Sequence, residues 1–258
     1  MTKTNQQKVK DFLINNGVII VMFILVIYTG FTSDNFFTKN NFMNILMNMS
    51  SRLVIALGIA GCVITAGCDL SAGRMIGFGA CISGMLLQRM DYSGKFFPDM
   101  QPLNVFVVAL IAMLVCAAFG TVTGFFIAYL NVPPFIATLA MMEIVYGIGL
   151  IVTNATPLGG YVEQYTNVSN GKFLGINYLI WIAIIVAAIT WFIFNMTRHG
   201  KYMYAIGGNP QAAEVAGVPV KATLILIYMK AAAMYGLAGF MLGAKAGGAS
   251  VQTGYGYE

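Results

Sequence analysis

The sequence predicts an all-α, polytopic transmembrane helix bundle with about seven spans and its N-terminus in the cytoplasm. Three observations carry that prediction. The 258-residue chain is 59% hydrophobic and only 9% charged, against about 25% charged residues in soluble domains. Seven apolar stretches have roughly the 17–25 residues that a helix needs to cross a bilayer. The Lys and Arg residues between them are unevenly divided between the two sides. Helices follow because an open strand would leave backbone groups unsatisfied in lipid.

The elements follow in chain order. Lys3, Lys8 and Lys10 precede a long apolar run, Phe12–Phe31. A signal peptide starts similarly, but the run is long and Thr32, Ser33, Asp34 and Asn35 follow it instead of a cleavage site. It is read as an uncleaved first span, 12–31. The others are placed at 44–66, 74–90, 103–130, 135–153, 178–196 and 222–243. With the N-terminus inside, the inner segments hold Lys3, Lys8, Lys10, Arg74, Arg198, Lys201 and Lys221, and the outer ones Lys39, Arg89, Lys95 and Lys172. Seven against four supports that orientation. The 198–221 loop is then cytoplasmic, and loops 32–43, 91–102 and 154–177 face outward.

Several chemistries are disfavoured. Cys62, Cys68, Cys81 and Cys116 lie in or beside apolar spans at spacings that match no zinc pattern, so they read as small buried apolar residues. A single His excludes a multi-His metal site within the chain. No Walker-type phosphate loop occurs, and no G-x-S-x-G or H-E-x-x-H motif. The net charge of +5 is scattered and does not suggest nucleic-acid binding. Gly73/Gly77, Gly120/Gly124 and Gly243/Gly247 are GxxxG pairs that let helices approach closely; general bundle packing is the favoured reading of each.

Three stretches carry the functional expectation. In 198–220, RHGKYMYAIGGNPQAAEVAGVPV, Asn209 is a good N-cap, Pro210 falls at N1 and Gly217 suits the left-handed position that ends a helix. Residues 210–216 therefore read as a two-turn helix between spans. Such a helix is marginal alone and is expected to pack against something else. The second stretch is TAGCDLSAGR, residues 65–74. An intramembrane carboxylate is costly, so Asp69 sits in a loop or has a partner, for which Arg74 is close in sequence. Ser71 is a candidate cap of the next helix. A helix break fixed by Asp69 and Ser71 is favoured over direct substrate contact, although broken helices at a cavity are where transporters bind ligands. The third is YLNVPPFIATLAMME, residues 129–143. Pro133 and Pro134 must end or kink a helix. Glu143 lies inside the next span, either functional or facing the bundle beside a Tyr or Thr. Lys230 is read as snorkelling to the inner face.

Together these motifs resemble the ABC-type monosaccharide import permeases of the ribose/galactose type. TRHGKYMYAIGGNPQAAEVAGVPV is similar to that family's cytoplasmic loop, and TAGCDLSAGR and AYLNVPPFIATLAMM to two further motifs. The DLSAGR form, with QRMD, FFPDM and IVYGI, is nearest the galactose/methyl galactoside branch; ribose members typically read DLSVGS. The resemblance covers nearly the whole chain. Glu258 resembles the start of the family's E-L-D-A-I-A-A motif, so the permease domain over 1–258 is expected to be incomplete at its C-terminus. At 230–232 the chain has Lys-Ala-Ala where relatives usually show Ser-Gly.

The resemblance implies a non-enzymatic permease subunit in the bacterial inner membrane. It implies a homodimer, a cytoplasmic ABC ATPase that binds ATP and magnesium in place of this chain, and a periplasmic sugar-binding protein. The coupling loop 198–221 would engage the ATPase through Asn209, Pro210, Ala212, Ala213 and Glu214, with Gly207, Gly208 and Gly217 setting its backbone. Galactose or methyl galactoside is the expected sugar; ribose or xylose is the alternative. A membrane scaffold or enzyme with a docking loop is the competing class.

Overall fold

The structure, a computed structural model, describes residues 13–33 and 35–257. Lys3, Lys8, Lys10, the start of the expected first span, Asp34 and Glu258 lie outside the described residues. The chain divides into two compact units, residues 1–46 and 47–258. In the first, α1 (Gly17–Thr32) leads to a turn at 35–38, where the Asn41 side chain donates to the Phe36 carbonyl at 2.8 Å. Helix α2 (Lys39–Ile64) starts there and continues into the second unit.

The second unit is a helix bundle. Its elements are α3 (Ala72–Leu86), α4 (Val105–Leu130), α5 (Pro134–Thr153), α6 (Glu163–Asn170), the hairpin β1 (Lys172–Phe173) and β2 (Ile176–Asn177), α7 (Tyr178–Met196), α8 (Arg198–Gly208), α9 (Pro210–Val215) and α10 (Val220–Ala246). The boundaries follow local chemistry. The Asn104 and Asn177 side chains cap α4 and α7, accepting from Phe106 and Leu179. Pro133 and Pro134 begin α5, as the double proline predicts.

Helix α10 is the axis of the unit. Tyr228, Ala231, Ala232, Tyr235, Ala238 and Met241 along it are almost fully buried. It lies so close to α4 and α3 that a Cβ on Gly120 would enter the Tyr228 backbone and one on Gly239 the Ile76 carbonyl. Tyr165 of α6 is completely buried and donates to the Phe240 carbonyl at 2.7 Å, which fastens the 154–177 connection across α10. Of the GxxxG pairs, Gly120 and Gly124 serve this internal packing, both meeting α10.

Among the described residues five helices, α2, α4, α5, α7 and α10, are long and apolar enough to cross a membrane. The two other expected spans coincide with shorter apolar helices, α1 of 16 residues and α3 of 15. At 1.5 Å per residue α3 is about 22 Å long, less than the roughly 30 Å hydrocarbon core. Its shortness has two causes. Residues 65–71 are non-helical, and after Leu86 the Gln88 side chain turns inward to bond the Gly159 carbonyl at 2.9 Å and the Phe96 N–H at 2.7 Å.

Candidate functional site

Helix α9 is defined by its ends. The Asn209 Oδ1 accepts from the Ala212 N–H at 2.9 Å, and Pro210 occupies the first turn. At the other end Gly217 has φ +84°. The Val218 N–H reaches the Ala213 carbonyl and the Gly217 N–H reaches the Glu214 carbonyl, both at 3.0 Å. This is the paired Schellman closure, whose left-handed residue is usually Gly because it lacks a Cβ. The helix ends at Val215 with Ala216 as its cap, one residue short of the expected 210–216.

The surface of α9 corrects one expectation. Ala213 is only 5% exposed and packs into this chain, so it is not part of a face open to a partner. Asn209, Pro210, Ala212 and Glu214 are exposed. Val215 is 91% exposed, an apolar side chain that the sequence reading passed over. Helix α8 was also not anticipated. Gly200, Met203 and Ile206 form its buried stripe, with the three-residue spacing that could have revealed it. Gly207 sets α8 against the end of α2: a Cβ there would overlap the Ile64 carbonyl. His199 in α8 and Lys230 in α10 line a hollow of about 20 Å³. Burial, reinforced by the Lys230 ammonium, pushes His199 down to about 4.

Residues 65–71 form the break. From the end of α2 they run along α10, where the Tyr228 hydroxyl donates to the Cys68 carbonyl at 3.3 Å. Asp69 is 3% exposed. Its Oδ1 accepts from the Ser71 N–H at 3.0 Å and the Ser71 hydroxyl at 2.6 Å. Two expectations are corrected here. Ser71 occupies the N-cap position of α3 but makes no side-chain cap bond, because its backbone is helical and not in the extended form from which a cap side chain reaches back. Arg74 does not pair with Asp69, because it lies in the first turn of α3 and reaches another segment.

That segment is 247–257. Gly247, at φ +65°, ends α10, and the chain turns back beside α3. Ala249 bridges to Leu158, Val251 packs on Gly77 and Gly149, and Gly254 comes against the Gly73 carbonyl. The Arg74 Nη1 donates to the Gln252 Oε1 at 2.8 Å, and the Gln252 Nε2 donates to the Tyr146 hydroxyl at 3.0 Å. The guanidinium lies 4.1 Å from the Tyr146 ring centre and 5.3 Å from that of Tyr255. Sequence reasoning named Arg74 but not Tyr146, Gln252 or Tyr255. Glu143 on α5 is exposed, which corrects the alternative that placed it against the bundle. Pro133 and Pro134 make the α4–α5 turn, with Pro134 beside Gly67.

Several apolar helices of membrane-crossing length, a non-helical turn with a buried carboxylate beside the central helix and a capped surface helix between α8 and α10 define a polytopic membrane protein of the transporter class. Comparison with known proteins narrows this. The family described as branched-chain amino acid transport system / permease component matches residues 41–258, and the chain belongs to that permease family. It is 38% identical over 265 residues to the galactose/methyl galactoside import permease of Escherichia coli (strain K12), covering all of this chain and 79% of the relative. The Haemophilus influenzae (strain ATCC 51907 / DSM 11121 / KW20 / Rd) protein of the same name is 39% identical with the same coverage. The ribose import permease of Escherichia coli (strain K12) is 31% identical over 253 residues, 96% of this chain and 75% of the relative. No solved structure matches the chain.

Proposed function

We propose that this chain is the membrane-spanning subunit of an ATP-driven importer that moves a monosaccharide, galactose or methyl galactoside first, across the bacterial inner membrane. The observation that carries this is the 38–39% identity, along the whole chain, to galactose/methyl galactoside import permeases. The N-terminus and the 198–221 loop face the cytoplasm. A separate ATPase binds ATP and magnesium and receives α9 through Asn209, Pro210, Ala212, Glu214 and Val215. Gly207, Gly208 and Gly217 shape the backbone around that contact, and Ala213 anchors it from behind. A periplasmic protein delivers the sugar, and two copies of the permease domain enclose the path.

The geometry supports a route for coupling. Helix α9 is followed after four residues by α10, the axis of the bundle, and preceded by α8, which rests on the end of α2. Both α2 and α10 flank the break at 65–71. A rigid-body displacement of α9 is therefore passed to the walls of the broken segment, a two-state shift of a kind common in switching proteins. An ATPase biases it only through contacts that differ between the two states.

The test is galactose uptake by cells that lack their own galactoside permease and contain the cognate ATPase and binding protein. Uptake dependent on this permease is expected. Ribose uptake in place of galactose uptake would move the substrate to the alternative. Ala212→Glu and Val215→Asp alter exposed positions and should leave insertion intact. Each is expected to lower uptake about tenfold or more, the effect of ~1.4 kcal/mol of docking energy. Unchanged uptake in both variants would remove α9 as the coupling element.

A further inference from the structure

We propose that Arg74, Tyr146, Gln252 and Tyr255, with Glu143 one turn away on α5, form a contact site inside the membrane for the hydroxyl groups of a neutral sugar. This rests on the permease reading and adds where in the chain the sugar is handled.

Depth is the first argument. Gly79 packs against Gly236, and Gly239 against Ile76. The first turns of α3 are therefore level with residues just past the middle of the 27-residue α10. Arg74 belongs to those turns, far from either end of the bundle. The non-helical segment 247–257 lies against them, with Val251 on Gly77 and Gly254 on the Gly73 carbonyl. Non-helical backbone at membrane depth is tolerated where it is buried in protein or lines a water-filled cavity. An ionisable residue at such a depth is a functional candidate by default. Tyr255 also lines an open cavity of about 590 Å³ whose other wall carries Arg52, Ile55 and Ile59 of α2, within the usual range for small-molecule sites.

Chemistry is the second. Among the described residues the one ion pair joins Arg89 and Asp91, so Arg74 has no carboxylate partner. It is held by two tyrosine faces and one hydrogen bond, and its Nε–H has no acceptor. The chain Arg74–Gln252–Tyr146 fixes the amide and leaves it one further N–H and lone-pair capacity on its oxygen. The Tyr146 hydroxyl, which accepts in that chain, can still donate. Donors and acceptors are thus mixed and preorganised, as hydroxyl groups that do both require. The tyrosine rings offer apolar faces to a sugar's C–H face. The exposed Glu143 carboxylate lies three residues from Tyr146 on the same helix face and disfavours an anion. An anion on an unpaired Arg would also form strong charge-assisted bonds, ill suited to release.

The test uses the permease assembled with its ATPase and galactose-loaded binding protein in proteoliposomes, with galactose uptake and ATP hydrolysis scored separately. Gln252→Ala and Tyr255→Ala change exposed side chains. Uptake is expected to fall about tenfold or more, while hydrolysis stimulated by the loaded binding protein stays within about twofold. Arg74→Lys, which keeps the charge but loses the fork, should fall similarly. Unchanged uptake in Gln252→Ala and Tyr255→Ala overturns the proposal. Parallel loss of uptake, hydrolysis and folded protein also overturns it, since the cluster would then serve folding. If the unmutated assembly moves ribose and not galactose, the same variants are scored on ribose with the same two outcomes. If it shows neither sugar uptake nor stimulated hydrolysis, the permease reading fails, and the site falls with it.

Discussion

Asn209 and Asp69 perform the same local chemistry in opposite surroundings. Each offers a side-chain oxygen to a backbone N–H a few residues ahead, Asn209 to Ala212 at 2.9 Å and Asp69 to Ser71 at 3.0 Å. Asn209 is exposed at the head of α9, and the bonds that define its helix all fall between residues 209 and 218. Asp69 is buried at the break in the bundle, and the neighbouring contacts join residues 160 and 178 positions apart. The same hydrogen bond is therefore replaceable by water at one site and irreplaceable at the other. The bonds of the exposed helix are all local, while those around the buried break tie distant parts of the chain together.

The largest effect should come from separating segment 247–257 from the start of α3, just past the break. Gly254 lies so close to the Gly73 carbonyl that a Cβ would overlap it, and the obstacle is backbone, which cannot rotate away. Gly254→Val should destabilise the protein by about 3 kcal/mol, the upper range for overpacking, with a matching drop in unfolding temperature in detergent. It should also remove the Arg74–Gln252 contact. A stability equal to that of the unmutated protein would show that segment 247–257 is only loosely attached to α3, and the comparison would lose its buried member.

The two regions differ as sharply in how far sequence alone reveals them. Helix α9 was legible to within one residue because Asn209, Pro210 and Gly217 dictate it locally. Helix α7 was legible at 178–196 because Asn177 caps an uninterrupted apolar run. The break was legible as a break, since a carboxylate inside an apolar stretch requires one. Its partners were not. Arg74 is five residues from Asp69, yet the start of α3 between them turns its side chain toward Gln252, 178 positions away, and no local rule reports such a contact. The end of α3 was misjudged for a related reason. Apolar character continues through Leu87, so the pattern hides a helix end that Gln88 sets by bonding to residues 96 and 159. The burial of Ala213 and the exposure of Val215 were not legible, because a two-turn helix has too few residues to show which face is covered.

An intermediate effect should follow from Asp69→Ala. It leaves the buried Ser71 N–H and hydroxyl without their acceptor, which costs about 2 kcal/mol for orphaned polar groups. Asp69→Asn keeps an oxygen in place and should recover most of that loss. If Ala and Asn behave alike in thermal unfolding, the Ser71 bonds contribute little, and the break is fixed by α10 alone.

The smallest effect belongs to Asn209. Removing its oxygen with Asn209→Ala exposes the Ala212 N–H to water instead of stranding it, so the expected loss is about 1 kcal/mol, the usual value for an N-cap. Asn209→Asp and Asn209→Ser restore an acceptor and should recover it. Because α9 is a small part of the molecule, global unfolding is a poor reporter. Hydrogen exchange at Ala212 and Ala213, whose N–H groups bond to Asn209, reads the local opening directly. Faster exchange confined to 210–218 in Asn209→Ala, with the Ser71 amide unchanged, is the pattern expected of an autonomous helix. Faster exchange at Ser71 as well would mean that loosening α9 loosens the break, and that coupling through α2 and α10 operates within a single chain before any partner binds.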